Sequence, residues 1–218
     1  MLSPQLSPDV ILFDDRADAA QQLAQVVLAE AQSLDADFVV YALPRGGVEI
    51  GVAIAEALHC PLDILVAKKI TRPQDPELAI GAVTAEGHVL RSSNAKFLGW
   101  KEALERAQTK AKEQLEQFRD RPNVTATGKI ALIVDDGIAT GMTISVAAKA
   151  LREQEPQEIW ICAPVAPAEL AKRLYDYCDR SLILATPEPF LSVSRFYRSF
   201  PQVEMESAIA DLKKTLQN

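Results

Sequence analysis

Apolar positions along this chain recur at two spacings, and the spacing changes at clusters of Pro, Gly and polar residues. Ala20, Leu23, Val27 and Leu34 fall near a helical repeat, which predicts an amphipathic helix over residues 15–33. "DFVVYAL" is a short run of buried-strand type, broken by "PRGG"; "VEIGVAIAEAL" then returns to helical spacing through Ile50, Ile54 and Leu58. "PLDILVAKK" reads as a second strand, "ITRPQDPE" as a polar loop, and "LAIGAVTAEGHVL" as a hairpin turning at Glu86-Gly87. A long helix is predicted over residues 95–120, with Leu104, Ala107, Ala111, Leu115 and Phe118 on one stripe. Its heptad-like spacing admits a coiled coil, but so narrow a stripe suits a domain core better. Beyond it, strands at "KIALIVDD", "EIWICAP" and "RSLILAT" alternate with helices at "TISVAAKALREQ" and "PAELAKRLYDYC", and "EMESAIADLKKTLQ" closes as a helix.

Strands alternating with helices imply an α/β fold, a mostly parallel sheet with helices on both faces. No repeat, low-complexity tract or linker interrupts it, so one domain is expected over residues 1–218. In such sheets ligands lie beyond the carboxyl ends of the strands. "PRGG" and "DDGIATGMT" both fall at such ends, and two unusual loops converging on one edge predict a site.

Composition narrows the classes. A net charge of -7 argues against a broad electrostatic grip on nucleic acid or an anionic membrane, though not against a local basic pocket. Cys60, Cys162 and Cys178 are odd in number and form no C-x-x-C pair, as expected of reduced, packed thiols. His59 and His88 are too few for a histidine-rich metal site. No signal peptide is read at "MLSPQLSPDV", and no run reaches the ~18 apolar residues of a membrane span. A soluble, cytoplasmic protein is expected.

The small residues from Gly137 to Gly141 let backbone amides approach a ligand, and the helix predicted to follow adds its positive end. That combination suits phosphate, with Thr140 and Thr143 as hydroxyl donors. A plain helix cap is the competing reading of Thr143. Asp135 and Asp136 would repel phosphate unless they face hydroxyls or a cation, since carboxylates only accept. A ligand with a diol at one end and a phosphate nearby is a pentose 5-phosphate. The loop lacks the P-loop spacing and lysine, and neither G-x-G-x-x-G nor G-x-S-x-G occurs.

"ALIVDDGIATGMT" closely resembles the phosphoribosyl-diphosphate-binding motif of type I phosphoribosyltransferases, and the core resemblance covers about residues 36–186. The chain also looks like a broad group of such proteins with "PRGG" and "ELAIGAV" stretches. The resemblance implies that Asp135 and Asp136 hold the ribose hydroxyls, and that Ala139, Thr140, Gly141, Met142 and Thr143 cradle the 5-phosphate. It places the diphosphate at "LPRGG", gripped by Arg45 and by the backbone at Gly46, often through a strained peptide in the family. Lys68 or Lys69 would lie nearby, and residues 70–79, with Arg72, would form a mobile catalytic loop. Mg²⁺ is the implied cofactor, with no protein metal site assigned.

The implied reaction transfers phosphoribosyl from phosphoribosyl diphosphate to a small nitrogenous acceptor, a nucleobase in many members, releasing pyrophosphate. The aspartate that serves the base in 6-oxopurine members is replaced here by Ala139. A hood built from the terminal segments would cover the acceptor, with Phe190, Phe196 and Tyr197 as stacking candidates. A non-catalytic sensor of the same ligand and a structural module around the 95–120 helix are the alternatives, and a homodimer stays open.

Overall fold

The computed structural model describes residues 10–72, 75–92 and 99–215. In chain order its elements are α1 (Arg16–Ala31), β1 (Phe38–Ala42), α2 (Gly46–Leu58), β2 (Leu62–Ile64), β3 (Ala67–Arg72), β4 (Asp75–Thr84) and β5 (Val89–Arg91). There follow α3 (Trp100–Gln117), β6 (Ile130–Val134), α4 (Met142–Arg152), β7 (Glu158–Val165), α5 (Ala168–Leu174), β8 (Arg180–Ala185) and α6 (Met205–Thr215).

Five strands form a parallel sheet in the order β2-β1-β6-β7-β8. Its central strands are apolar on both faces because helices cover both. Val40, Leu132 and Trp160 stand in register on one face, packed against α1, α2 and α6 residues such as Leu23, Ile54 and Leu212. Ala131, Ile133, Ile159 and Ile161 point the other way, onto Ile144, Ala147 and Leu151 of α4 and Leu174 at the end of α5. The expected α/β architecture is the observed one.

Two sequence expectations are corrected. The strand expected over residues 61–69 is two strands in different sheets: β2 ends at Ile64, and β3 begins at Ala67 as the edge of an antiparallel sheet ordered β3-β4-β5. The chain changes sheets at Leu65, whose amide donates to Ala42 O (3.1 Å), and Val66, whose carbonyl accepts from Ala85 N (3.0 Å). Lys68 and Lys69 therefore belong to the antiparallel sheet and not to the end of a core strand. The loop expected over residues 70–79 is largely the arm of a hairpin, because β3 runs to Arg72 and β4 starts at Asp75; residues 73–74 lie outside the described part. Ile70 and Ile80 explain the pairing: both are buried with Val83 under Ala103 and Ala107 of α3. The register shifts at Ile70–Arg72, opposite the stretch that holds Pro76, which has no amide to give to a ladder.

The turn expected at Glu86-Gly87 is present, with Gly87 at φ 101° and its amide donating to Thr84 O (3.1 Å). Helix α3 lies on β3 and β4 through buried Ala103 and Ala107, and Ala111 joins the main core, so its stripe is a core stripe. The part of the expected helix over residues 95–98 lies outside the described residues.

The two terminal segments meet. Leu12 and Phe13 amides both donate to Phe196 O (2.9 and 3.0 Å), and Arg198 N donates to Phe13 O (2.9 Å). Residues 1–9 and 216–218 lie outside the described part.

Candidate active site

Asp135 and Asp136 leave β6 at its carboxyl end, where the Leu43 amide, just past β1, donates to Val134 O (2.9 Å). That bond makes the "PRGG" and "DDGIATGMT" loops neighbours. A Cβ on Gly46 would lie 1.8 Å from Asp136 Oδ2, and one on Gly47 would lie 2.6 Å from Val134 O. Only glycine permits so close an approach. The preceding peptide, Pro44–Arg45, is cis, and half-buried Arg45 stands at the N-cap position of α2 without a side-chain capping bond.

Asp136 is already engaged. Its Oδ2 accepts from Arg16 Nε at 2.7 Å, and its carbonyl accepts from the Tyr197 hydroxyl at 2.6 Å. Arg16, at the start of α1, also donates from Nη1 to Pro201 O (2.7 Å) and lies 3.7 Å above the Phe200 ring centre. Asp135 turns one oxygen back to the Asp136 amide (2.9 Å). Burial, and then the neighbouring charge of Asp136, hold the Asp135 carboxyl well above the usual carboxylate range.

The following loop is pinned at both ends. Gly137 packs on Val193, where a Cβ would come within 2.4 Å of Cγ1, and Ile138 is buried with its amide on Val165 O (2.8 Å). Gly141 takes φ 74° at the N-cap of α4, closed off by Leu170. Ala139 and Thr140 between them are exposed. Among the described residues, nothing accepts from the amides of Ala139, Thr140, Gly141, Met142 and Thr143. A row of free N–H groups thus stands at the positive end of a helix, an arrangement that favours an anion.

Lys68, Lys69 and Arg72 on β3 share a cavity of about 510 Å³ with Thr143. Burial, followed by the charges of Arg45 and Lys110, lowers the Lys68 pKa. Among the described residues no three His, Cys, Asp or Glu side chains gather to hold a metal ion.

Phe196 and Tyr197 are 4% and 3% exposed, and the Phe190 ring packs 5.2 Å from that of Phe196. Phe196 and Tyr197 are thus packing groups, and Phe190 is half-buried against Phe196. Arg16 went unread in the sequence, for its partner lies 120 positions away. Gly47 did have a signal, the second glycine of "PRGG".

The sequence profile of the phosphoribosyl transferase domain matches residues 13–190, which takes in both loops, β3 and the Asp pair. The chain belongs to the phosphoribosyl transferase domain family. A Mycobacterium tuberculosis (strain H37Rv) protein named "Putative phosphoribosyl transferase Rv0571c" is 38% identical over 211 residues. That match covers 93% of this chain and 47% of the relative, so the chain spans about half the length of the curated relative it matches. Among solved structures, the TT1426 protein of Thermus thermophilus is 30% identical with a TM-score of 0.78, covering 94% of this chain and 99% of that one. The AQ2163 protein of Aquifex aeolicus shares the fold at 14% identity and a TM-score of 0.51, covering 78% and 73% of the two chains. No helix among the described residues is long and apolar enough to cross a membrane.

Proposed function

We propose that this phosphoribosyl transferase family member binds 5-phosphoribosyl diphosphate and transfers its phosphoribosyl group to a nitrogen nucleophile, releasing pyrophosphate. The observation that carries the reading is the side-by-side placement of two acidic residues, Gly46 against one of them, and the unoccupied amides of residues 139–143.

In this reading Asp135 and the remaining acceptor capacity of Asp136 take the ribose 2- and 3-hydroxyls. The amides and hydroxyls of Ala139, Thr140, Gly141, Met142 and Thr143 take the 5-phosphate, and Arg45 with the backbone at Gly46 takes the diphosphate. The acceptor nitrogen gives its lone pair to ribose C1, the C1–O bond breaks, and its electrons leave with pyrophosphate. Positive charge from Arg45, Lys69 and Arg72 stabilises that leaving group. The donor set suits Mg²⁺, which binds through one or two carboxylates and substrate phosphates without a protein cage, so Asp135 or Asp136 would share it with the ligand. When bound, the ion neutralises diphosphate charge. The hairpin β3–β4, as an arm beside the site, excludes water as the competing nucleophile.

The test follows pyrophosphate release from phosphoribosyl diphosphate and Mg²⁺ with a panel of purines, pyrimidines and small amines. Turnover above the rate without acceptor supports the transferase. Tight binding with no turnover across the panel would favour a sensor of the same ligand, and no binding at millimolar donor would end both readings.

A further inference from the structure

The cavity beside Thr143 is lined on its far side by α3, whose residues Arg106 and Lys110 face Lys68, Lys69 and Arg72 of β3. Among the described residues, five of its lining side chains are cationic, and none is a carboxylate or an aromatic ring. This runs against the chain as a whole, which carries a net charge of -7. It also runs against α3, which holds Glu102, Glu105, Glu113 and Glu116, none of them on the cavity. Lys101, off the cavity, has such a neighbour, Glu105 at 4.0 Å. Among the described residues no carboxylate pairs with Lys68, Lys69, Arg106 or Lys110.

Such an arrangement carries like-charge repulsion, screened in part by solvent because Lys69, Arg106 and Lys110 are exposed. Arg106 and Lys110 are like charges four apart on one helix, which destabilises it, and Lys110 adds to the burial and the Arg45 charge that disfavour a proton on Lys68. The volume, about 510 Å³, is that of a small-molecule site and exceeds the need of a single small ion. In the donor arrangement proposed above, Arg45, Lys69 and Arg72 serve the diphosphate, and the Lys68 charge beside Arg45 can be shared. Arg106 and Lys110 are then in surplus. A singly charged carboxylate would leave half of that surplus uncompensated, whereas a phosphoryl group carries close to two negative charges at neutral pH. The described lining offers cations and no ring on which a bare, neutral nucleobase could stack.

We propose that the cleft between β3 and α3 is a second anion subsite, with Arg106 and Lys110 as its outer wall, and that it receives a phosphoryl group carried by the acceptor. This rests on the transferase reading for the word acceptor, but the subsite itself does not. The experiment is a calorimetric titration with inorganic pyrophosphate as probe, run on the free chain and on chain saturated with phosphoribosyl diphosphate and Mg²⁺. The variants are R106Q/K110Q and the charge-preserving R106K/K110R, each confirmed folded by its melting curve. With the donor in place the wild type should still bind one pyrophosphate. R106Q/K110Q should weaken that event at least tenfold and R106K/K110R should retain it, while donor affinity changes less than twofold. No pyrophosphate binding to the donor-saturated chain, or an equal loss of donor affinity in R106Q/K110Q, would overturn the proposal and return the cleft to the donor's own diphosphate. If the chain binds no donor yet binds one pyrophosphate that R106Q/K110Q loses, the subsite stands and the transferase reading falls.

Discussion

Arg16 Nε and Asp136 Oδ2 lie 2.7 Å apart, joining the start of α1 to the loop that follows β6 across 120 residues of chain. The Arg16 side chain is 7% exposed and that of Asp136 16%, so this pair sits largely out of water. The carboxylate proposed to meet the ribose is thus held in place before any ligand arrives.

Arg16→Ala should therefore destabilise the fold by more than a surface pair would. Stranding one partner of a buried pair costs about 3–5 kcal/mol, and the partial exposure of Asp136 lowers the expected loss to about 2–3 kcal/mol. Urea unfolding measures it. A loss under about 0.5 kcal/mol would place the pair with exposed ones.

Asp135 gives a pH signature. Its carboxyl is held above 3.8 in the folded chain, so above that pH the native state keeps a proton that the unfolded state has released. Its contribution to stability is thus fully present below the unfolded value and is lost as pH rises through the folded pKa. Asp135→Asn removes this dependence. The stability of the variant relative to wild type should increase with pH upward from about pH 4, the unfolded carboxylate range. Equilibrium unfolding of both proteins between acid and neutral pH checks this, and a constant difference would contradict it. The same variant should bind ribose 5-phosphate more weakly, yet bind inorganic phosphate at least as well as wild type.

Arg45→Ala should weaken phosphoribosyl diphosphate binding by about 1.5–3 kcal/mol, the range for a hydrogen bond to a charged group, and ribose 5-phosphate binding far less. Calorimetry with both ligands separates the cases. Equal losses would give Arg45 a general structural part.

Gly46→Ala should unseat Asp136, since the new Cβ would lie 1.8 Å from its Oδ2 and 3.2 Å from Arg16 Nε. Overpacking of this kind costs about 1–3 kcal/mol. Donor affinity should fall with it. Gly128→Ala is the control: φ 69° strains any side chain, but nothing lies within 4 Å of the added carbon, so about 1 kcal/mol of stability should go with donor affinity intact. Thermal melts and donor titration of both variants decide it.

Much of the fold was legible because β1, β6 and β7 are short apolar runs bounded by Gly, Pro and Asp, and because Gly87 marks its turn at positive φ. The change of sheets at Leu65–Val66 was not, since both residues are as apolar as the strand that precedes them. The hairpin arm at 70–79 was hidden by two prolines and several charges, while the reason for its pairing, Ile70 and Ile80 beneath α3, depends on a helix distant in sequence. The motif loop and the PRGG loop could be read locally, since backbone approach leaves glycines behind. The pairing of Asp136 with Arg16 could not, nor could the opposition of Arg106 and Lys110 to Lys68 and Lys69, because each needs two segments that only folding brings together.

The clasp formed by Phe13, Phe196 and Arg198, with Arg16 reaching Pro201 and Asp136, has a consequence for biosynthesis. A ribosome releases the aspartate pair some sixty residues before Pro201, the residue whose carbonyl steadies Arg16. During that interval the segments of β1, β2 and β6 have been made, yet the two carboxylates lack their final surroundings. The surroundings of the aspartate pair are accordingly among the last parts of the molecule to be completed, and a chain stalled before residue 196 would carry the motif without the Arg16, Tyr197 and Pro201 contacts.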